Sequence, residues 1–227
     1  YNKSLMKGDA IICNSFFVKD FIEKKYFPSK KIITIVRGID ISYFQDIKKK
    51  EIKKLSNFIL FNPSRVSRWK GHLNLLKLFL KFDEKLKNQI TLKFISNHST
   101  KYELEIDNFI KNNSLSSHVI FEKPTNEIKK LYLSSDIVIN SSINPEGFGR
   151  TISESLALNI PVVGPNIGGV KEQLEKFDAN LMYQVYSCES LQKALKYTIN
   201  NYFDISSKSR DFVIKNFSLE KMIKETM

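Results

Sequence analysis

The sequence predicts an α/β protein built on a parallel, doubly wound sheet. Three observations lead there: apolar runs alternate with helical stretches almost throughout, the runs are only four to six residues long, and no repeat or low-complexity tract interrupts them. Parallel strands need crossover connections, and the crossover helices cover both faces of the sheet.

Ala10 to Cys13 reads as a short buried strand and Phe16 to Phe27 as a helix, with Pro28 just past its end. Lys31 to Val36 is the next strand, Arg37-Gly38-Ile39-Asp40 breaks the pattern, and the lysine-rich residues 46–54 read as a solvated connector. A second series opens with the strand Phe58 to Phe61, the turn Asn62 to Lys70, and a helix from Gly71 to about Phe82. That helix is apolar nearly all round, which predicts cover on more than one side. Strands at Thr91–Ile95, His118–Phe121, Ile137–Asn140 and Pro161–Val163 alternate with helices near 101–112, 126–134 and 151–159. Helices at 169–176 and 188–202 follow, and residues 206–227 read as helical with a bend near Phe217-Ser218.

The bulk properties narrow the function classes. The 227 residues open at Tyr1, inside what reads as a folded segment, so the expectation is a piece of a longer chain. No apolar run approaches the ~18 residues of a membrane span. Two isolated cysteines, Cys13 and Cys188, without a CxxC or Cys/His cluster, point to a reducing compartment and no structural zinc. The net charge of +12 is mostly evenly spread lysine, which reads as a solvated surface. Contact with an anionic bilayer is the functional alternative. No recognition motif accompanies the charge, so nucleic acid is not an expected partner. Of the five arginines, Arg37, Arg65, Arg68 and Arg150 fall at turns, and Arg210 in an ordinary helical stretch. A guanidinium offers a planar fork suited to phosphate.

Ligands of doubly wound sheets sit beyond the strand C-termini, which singles out the turns after residues 61, 95, 121, 140 and 163. One of them, Pro63 to Gly71, carries Arg65, Arg68 and Lys70 ahead of a helix start, enough cations to neutralise a dianion; an exposed basic loop anchored by Trp69 fits the same residues. Another, Asn144 to Glu154 (NPEGFGRTISE), places Glu146 at a Gly-rich turn and Glu154 one turn into the following helix. Bare amides between them attract phosphate, and the carboxylates accept from sugar hydroxyls. Glu146 also fits an ordinary acidic turn, and Thr151-Ile152-Ser153-Glu154 fits a capping box, in which Glu154 serves only the helix end. Gly168-Gly169 allows close approach of a ligand or simply a tight left-handed turn. His72, His98 and His118 share no metal-ligand spacing, and no metal signature is seen.

Together these segments resemble the retaining GT-B glycosyltransferases, in particular the large family four that includes bacterial surface-polysaccharide enzymes. The E-x7-E signature stands as Glu146-GFGRTIS-Glu154. The Gly-Arg-Lys-Gly motif stands as NPSRVSRWKG, with Ser64 where the family usually has glycine. Arg37-Gly38-Ile39-Asp40 matches the hinge, and Gly168-Gly169-Val170-Lys171-Glu172 the double-glycine turn with its trailing Glu. The resemblance implies two Rossmann-like domains facing across a cleft. Residues 1–37 would end the N-terminal acceptor domain, 38–205 would form the nucleotide-sugar donor domain, and 206–227 would be the bent helix crossing back.

Carried over by position, the resemblance implies that Arg65 and Lys70 hold the diphosphate and its leaving-group charge. Glu146, with the amides of Phe148 and Gly149, would take the donor sugar's hydroxyls. The amides near Thr151 would take phosphate and Glu154 the ribose, with Gly147 and Arg150 completing the donor-binding turn. The implied reaction is metal-independent, cofactor-free hexosyl transfer from a nucleoside-diphosphate sugar to a glycan or lipid-linked acceptor. Its setting would be lipopolysaccharide or capsule biosynthesis in the cytoplasm, at the inner face of the cytoplasmic membrane. In such folds backbone-mediated base contacts would fall around Phe121 to Thr125. The alternatives are a sugar-nucleotide-binding module, remnant or split-enzyme subunit inactive alone, and a GT-B epimerase.

Overall fold

The computed structural model describes residues 7–26, 29–44 and 57–227. Phe27 and Pro28, at the expected end of the first helix, and the connector 46–54 lie outside the described residues. The first described elements are β1 (Ala10–Cys13), α1 (Phe16–Tyr26) and β2 (Lys31–Thr34). The two strands pair in parallel, Ala10 opposite Lys31 through Cys13 opposite Thr34, and α1 covers them with Ile22 packed on Ile11 and Cys13.

The main sheet follows. Its elements in chain order are β3 (Phe58–Arg65), α2 (His72–Phe79), α3 (Glu84–Lys87), β4 (Ile90–Ile95), α4 (Lys101–Asn112), β5 (Val119–Glu122), α5 (Ile128–Leu133) and β6 (Ile137–Ile139). Then come α6 (Arg150–Ala157), β7 (Val162–Pro165), α7 (Gly168–Phe177), β8 (Met182–Tyr183), α8 (Cys188–Asn200), α9 (Tyr202–Phe217) and α10 (Leu219–Thr226). The strands lie in the order β5-β4-β3-β6-β7-β8, all parallel. From β3 the chain winds outward to β5, then returns to place β6 on the other side of β3. The winding therefore reverses between β3 and β6, and a crevice opens there at the strand C-termini.

Strand side chains alternate between two cores. Phe58 and Leu60 of β3, Ile137 and Ile139 of β6 and Val163 of β7 join α2, α4 and α8 on one face. Phe61, Val138 and Val162 join α6, α7 and α9 on the other. This period of two with both faces apolar is why the strands read as unbroken hydrophobic runs.

The expected doubly wound parallel sheet is present, and the departures from the expected elements have local causes. β3 continues to Arg65 instead of stopping at Phe61. Pro63 removes one ladder donor, but a register shift between Phe61 and Arg65 accommodates it. The helix expected over 71–82 ends at Phe79, and a separate turn, α3, follows beyond it, where Asp83 accepts from the Leu86 amide. β2 ends at Thr34, and β8, only two residues long, was not expected. The expected bend near Phe217-Ser218 is real: Ser218 leaves the helical region (φ −74°, ψ 150°) and its hydroxyl caps α10.

That break meets the Arg37–Asp40 segment. Ile39 donates to Phe217 O and accepts from the Leu219 amide, at 2.8 and 2.9 Å. A Cβ on Gly38 would lie 2.5 Å from Ser218 O, so only glycine admits this crossing. Arg210 is helical as expected, within α9, but its side chain is engaged. Its guanidinium donates to Phe44 O and Ala157 O, both at 2.7 Å, joining α9 to the end of α6 and to the segment after Asp40. Among the described residues no helix is long and apolar enough to cross a membrane.

Candidate functional site: the β3 and β6 turns

At the crevice, the turns after β3 and β6 interlock before any ligand is considered. After β3, a short 3-10 turn at Arg68–Lys70 leads to Gly71 in the left-handed region (φ 72°). A Cβ there would sit 2.0 Å from Ser141 O, so the two turns touch backbone to backbone. Ser141 Oγ donates to Lys70 O and accepts from Asn62 Nδ2, each at 2.7 Å, and the Ile143 amide donates to Trp69 O at 2.9 Å.

Lys70 and Glu146 meet across this junction. Lys70 Nζ lies 2.9 Å from Glu146 Oε1, and both side chains are mostly buried. The same carboxylate oxygen accepts from Asn140 Nδ2 at 2.8 Å and from Ser142 Oγ at 2.5 Å. Burial pushes the Glu146 carboxyl up, but Lys70, Ser142 and Asn140 outweigh it and hold the group below its ordinary value. Asn140 is wholly buried and also donates to Thr151 Oγ1 at 2.9 Å, tying Glu146 to the first turn of α6.

The loop between them is pinned by its carbonyls. Glu146 O accepts from the Gly169 amide, Gly147 O from Ser15 Oγ, and the Phe148 and Gly149 carbonyls from Gln173 Nε2. A trans peptide holds its N–H opposite its C=O, so these four bonds also fix where the amides of Gly147, Phe148, Gly149 and Arg150 point. Gly168 and Gly169 are consumed here: a Cβ on either would strike the backbone of residues 145–148. The double glycine thus seats the loop's own backbone. Glu172 accepts from the Phe16 and Phe17 amides, capping α1.

α6 begins at Arg150, with Gly149 at its N-cap in the left-handed region (φ 85°) and no side chain bonded there. The capping box is therefore not formed. Thr151 is already inside the helix, its hydroxyl engaged by Asn140, and Glu154 points elsewhere. Glu154 Oε2 accepts from the buried Tyr132 hydroxyl at 2.9 Å, and Oε1 lies 2.6 Å from Arg150 Nη2.

The turn's three cations are not equivalent. Arg68 leaves the crevice for α4, bonding Glu105 at 2.8 Å with its guanidinium over the Tyr102 ring. Arg65, exposed at the end of β3, makes no side-chain hydrogen bond or ion pair among the described residues. The structure thus gathers Lys70, Glu146 and Thr151 through Asn140, sets Glu154 and Arg150 in an adjoining cluster, and places Arg65 exposed at the end of β3. Sequence reasoning missed Asn140, Ser141 and Ser142. Their signal was a run of small polar residues directly after the apolar strand Ile137–Ile139. Tyr132 and Gln173 carried no local signal. Among the described residues no three His, Cys, Asp or Glu side chains converge as a metal site.

A reversed-winding sheet with cations, carboxylates and an uncapped helix N-terminus at its switch point defines the class of doubly wound α/β proteins whose switch-point chemistry suits a phosphorylated ligand. Residues 44–217 match the family model of group 1 glycosyl transferases, and the chain belongs to that family. An uncharacterized glycosyltransferase of Methanocaldococcus jannaschii is 27% identical over 96% of this chain and 57% of its own length. A trehalose synthase of Pyrococcus horikoshii is 25% identical over 72% of this chain and 41% of its own. The chain thus spans about half the length of the curated relatives it matches.

Among solved structures, a glycosyltransferase of Rickettsia africae superposes with TM-score 0.83 at 29% identity, covering all of this chain and 64% of that one. The Anabaena HepE protein in complex with UDP and glucose superposes with TM-score 0.82 at 21% identity, covering 96% and 62%. The fold is that of GT-B glycosyltransferases, consistent with a C-terminal domain.

Proposed function

We propose that this chain carries the donor-binding half of a retaining, metal-independent glycosyltransferase of family four. It moves a hexosyl group from a nucleoside-diphosphate sugar to a glycan or lipid-linked acceptor. The observation that carries the reading is the Lys70–Glu146 pair at 2.9 Å beside the uncapped start of α6. It sets a cation, a hydroxyl-accepting carboxylate and helix amides side by side, the three groups that a sugar joined to diphosphate requires.

In this reading Lys70 and Arg65 neutralise the departing diphosphate, and the first-turn amides near Thr151 take phosphate. Charge that develops on the leaving group meets donors already in place, so little reorganisation accompanies the step. Glu146, held ionised, and the amides of Phe148 and Gly149 orient the donor sugar, while Glu154 receives the ribose. The acceptor hydroxyl attacks from the face the diphosphate leaves, which returns the anomeric configuration and needs no separate base here. The segment 1–37 acts as the end of an acceptor domain, its described part meeting the Gly147 loop through Ser15 and α7 through Glu172. Assembly of lipopolysaccharide or capsule at the inner face of the cytoplasmic membrane is the proposed setting.

The Anabaena HepE structures hold UDP and glucose, so UDP-glucose is the first donor to test, followed by GDP and ADP sugars. Calorimetric titration into the folded chain is expected to show binding of one of them. A folded sample that binds none sinks the reading, and binding without transfer to any acceptor leaves a sugar-nucleotide module in its place.

A further inference from the structure

The Glu154 carboxylate is held from two sides that differ in kind. Behind it, on α5, lies Tyr132, wholly buried, whose phenol donates to Oε2 at 2.9 Å. The Tyr132 ring stands edge-on to Phe61 of β3 at 5.4 Å, so the sheet itself sets the phenol's position. Burial, then the charge and hydrogen bond of Glu154, push the phenol's pKa well above its ordinary value, and it remains a donor at neutral pH. On the other side, Arg150 reaches Oε1 from the helix surface with most of its side chain in solvent.

A carboxylate orients a vicinal diol by offering one oxygen to each hydroxyl. This requires the carboxylate plane to be fixed, and a binding group is only as well aimed as the second layer that holds it. The buried phenol is a permanent hold, whereas an exposed ion pair exchanges readily with solvent. We propose that Tyr132 is a positioning residue that fixes the Glu154 carboxylate to receive the two ribose hydroxyls of a nucleotide, with Arg150 its displaceable occupant in the empty site. The inference rests on the donor-site reading and extends it to a buried residue outside the motifs.

The test measures binding of UDP, GDP and ADP by calorimetry, then of the 2′,3′-dideoxy counterpart of whichever binds tightest. Tyr132→Phe is expected to weaken the ribonucleotide about tenfold, the scale of one hydrogen bond to a charged group. The dideoxynucleotide should be unaffected, and Tyr132→Phe should cost nothing further in a Glu154→Gln background. Equal loss for both nucleotides, or additive loss in the double variant, overturns the proposal. If the folded wild-type chain binds none of the three diphosphates, the donor-site reading falls and this one with it. Wild-type binding without a ribose-dependent loss removes Tyr132 alone. Should Tyr132→Phe not fold, 3-fluorotyrosine at position 132 keeps the phenol in place. Its fluorine resonance should then move with the ribonucleotide and not with the dideoxynucleotide; an equal response to both, or none, overturns the assignment.

Discussion

Three cations within six residues of one turn have three different fates, and burial decides which one matters. Lys70 is packed against Trp69, its Nζ 4.3 Å from the ring, and faces Glu146 in a mostly buried pair. Arg68 is largely exposed and already spent on Glu105. An exposed pair contributes ~0–1 kcal/mol, while a charge-assisted contact in a closed site contributes more. Lys70→Ala is therefore expected to weaken nucleoside-diphosphate binding by ~1–3 kcal/mol, and Arg68→Ala by under ~0.5 kcal/mol. Titration of both variants with UDP checks the ranking, and a larger loss for Arg68→Ala would reverse the assignment of the phosphate cation.

Between elements, the glycines divide by what faces them. Gly71 combines a left-handed backbone with Ser141 O at 2.0 Å from its absent Cβ, whereas Gly147 would meet side chains alone, the Val18 methyl at 3.3 Å and the Asn14 amide at 3.7 Å. Gly71→Ala should cost more than the ~1–2 kcal/mol of a left-handed residue alone, because backbone must also move. Gly147→Ala should stay within ~1 kcal/mol. Urea melts of the two variants compare them, and equal losses would contradict the backbone contact. The same contrast explains what could be read in the sequence. Apolar runs such as Phe58–Phe61 and Ile137–Ile139 announced the strands, because both of their faces are buried. The capping box failed because α6 starts at Arg150, one residue before Thr151, with Gly149 as its N-cap, a backbone choice that a T-x-x-E pattern does not contain. The site motifs Arg65–Lys70 and Glu146–Glu154 were legible as local patterns, but their partners were not. Whether Lys70 meets Glu146, or Tyr132 meets Glu154, depends on which strands become neighbours, and that is settled by the order of the sheet.

For the whole molecule, acid sensitivity follows from two buried groups behind the β3 turn. His72 is fully buried at the start of α2, edge-on to Phe94 at 5.2 Å, and among the described residues neither ring nitrogen has a partner within hydrogen-bond geometry, the Ser64 backbone lying nearby. Burial above all, with the Lys70 charge adding, lowers its pKa to about 4 against smaller opposing pulls from the Ser64 backbone and Glu103. The unfolded chain protonates His72 near its ordinary ~6.5, while the folded chain resists until about 4. Between those values the unfolded state binds more protons, so stability is full above pH ~6.5 and falls as pH drops toward 4, by roughly 3 kcal/mol in all. Glu103 acts in a lower window. Burial pushes it up, but hydrogen bonds from Ser96, Thr100 and Ser99 prevail and bring it to about 2, so its contribution is lost only between pH ~4.5 and 2. His72→Leu should accordingly flatten the fall in unfolding free energy between pH 6.5 and 4.5, leaving the steeper loss below pH 4.5 in place. Urea denaturation at pH 7, 5.5 and 4.5 reads the difference, and parallel slopes in wild type and variant would show that His72 carries no such load.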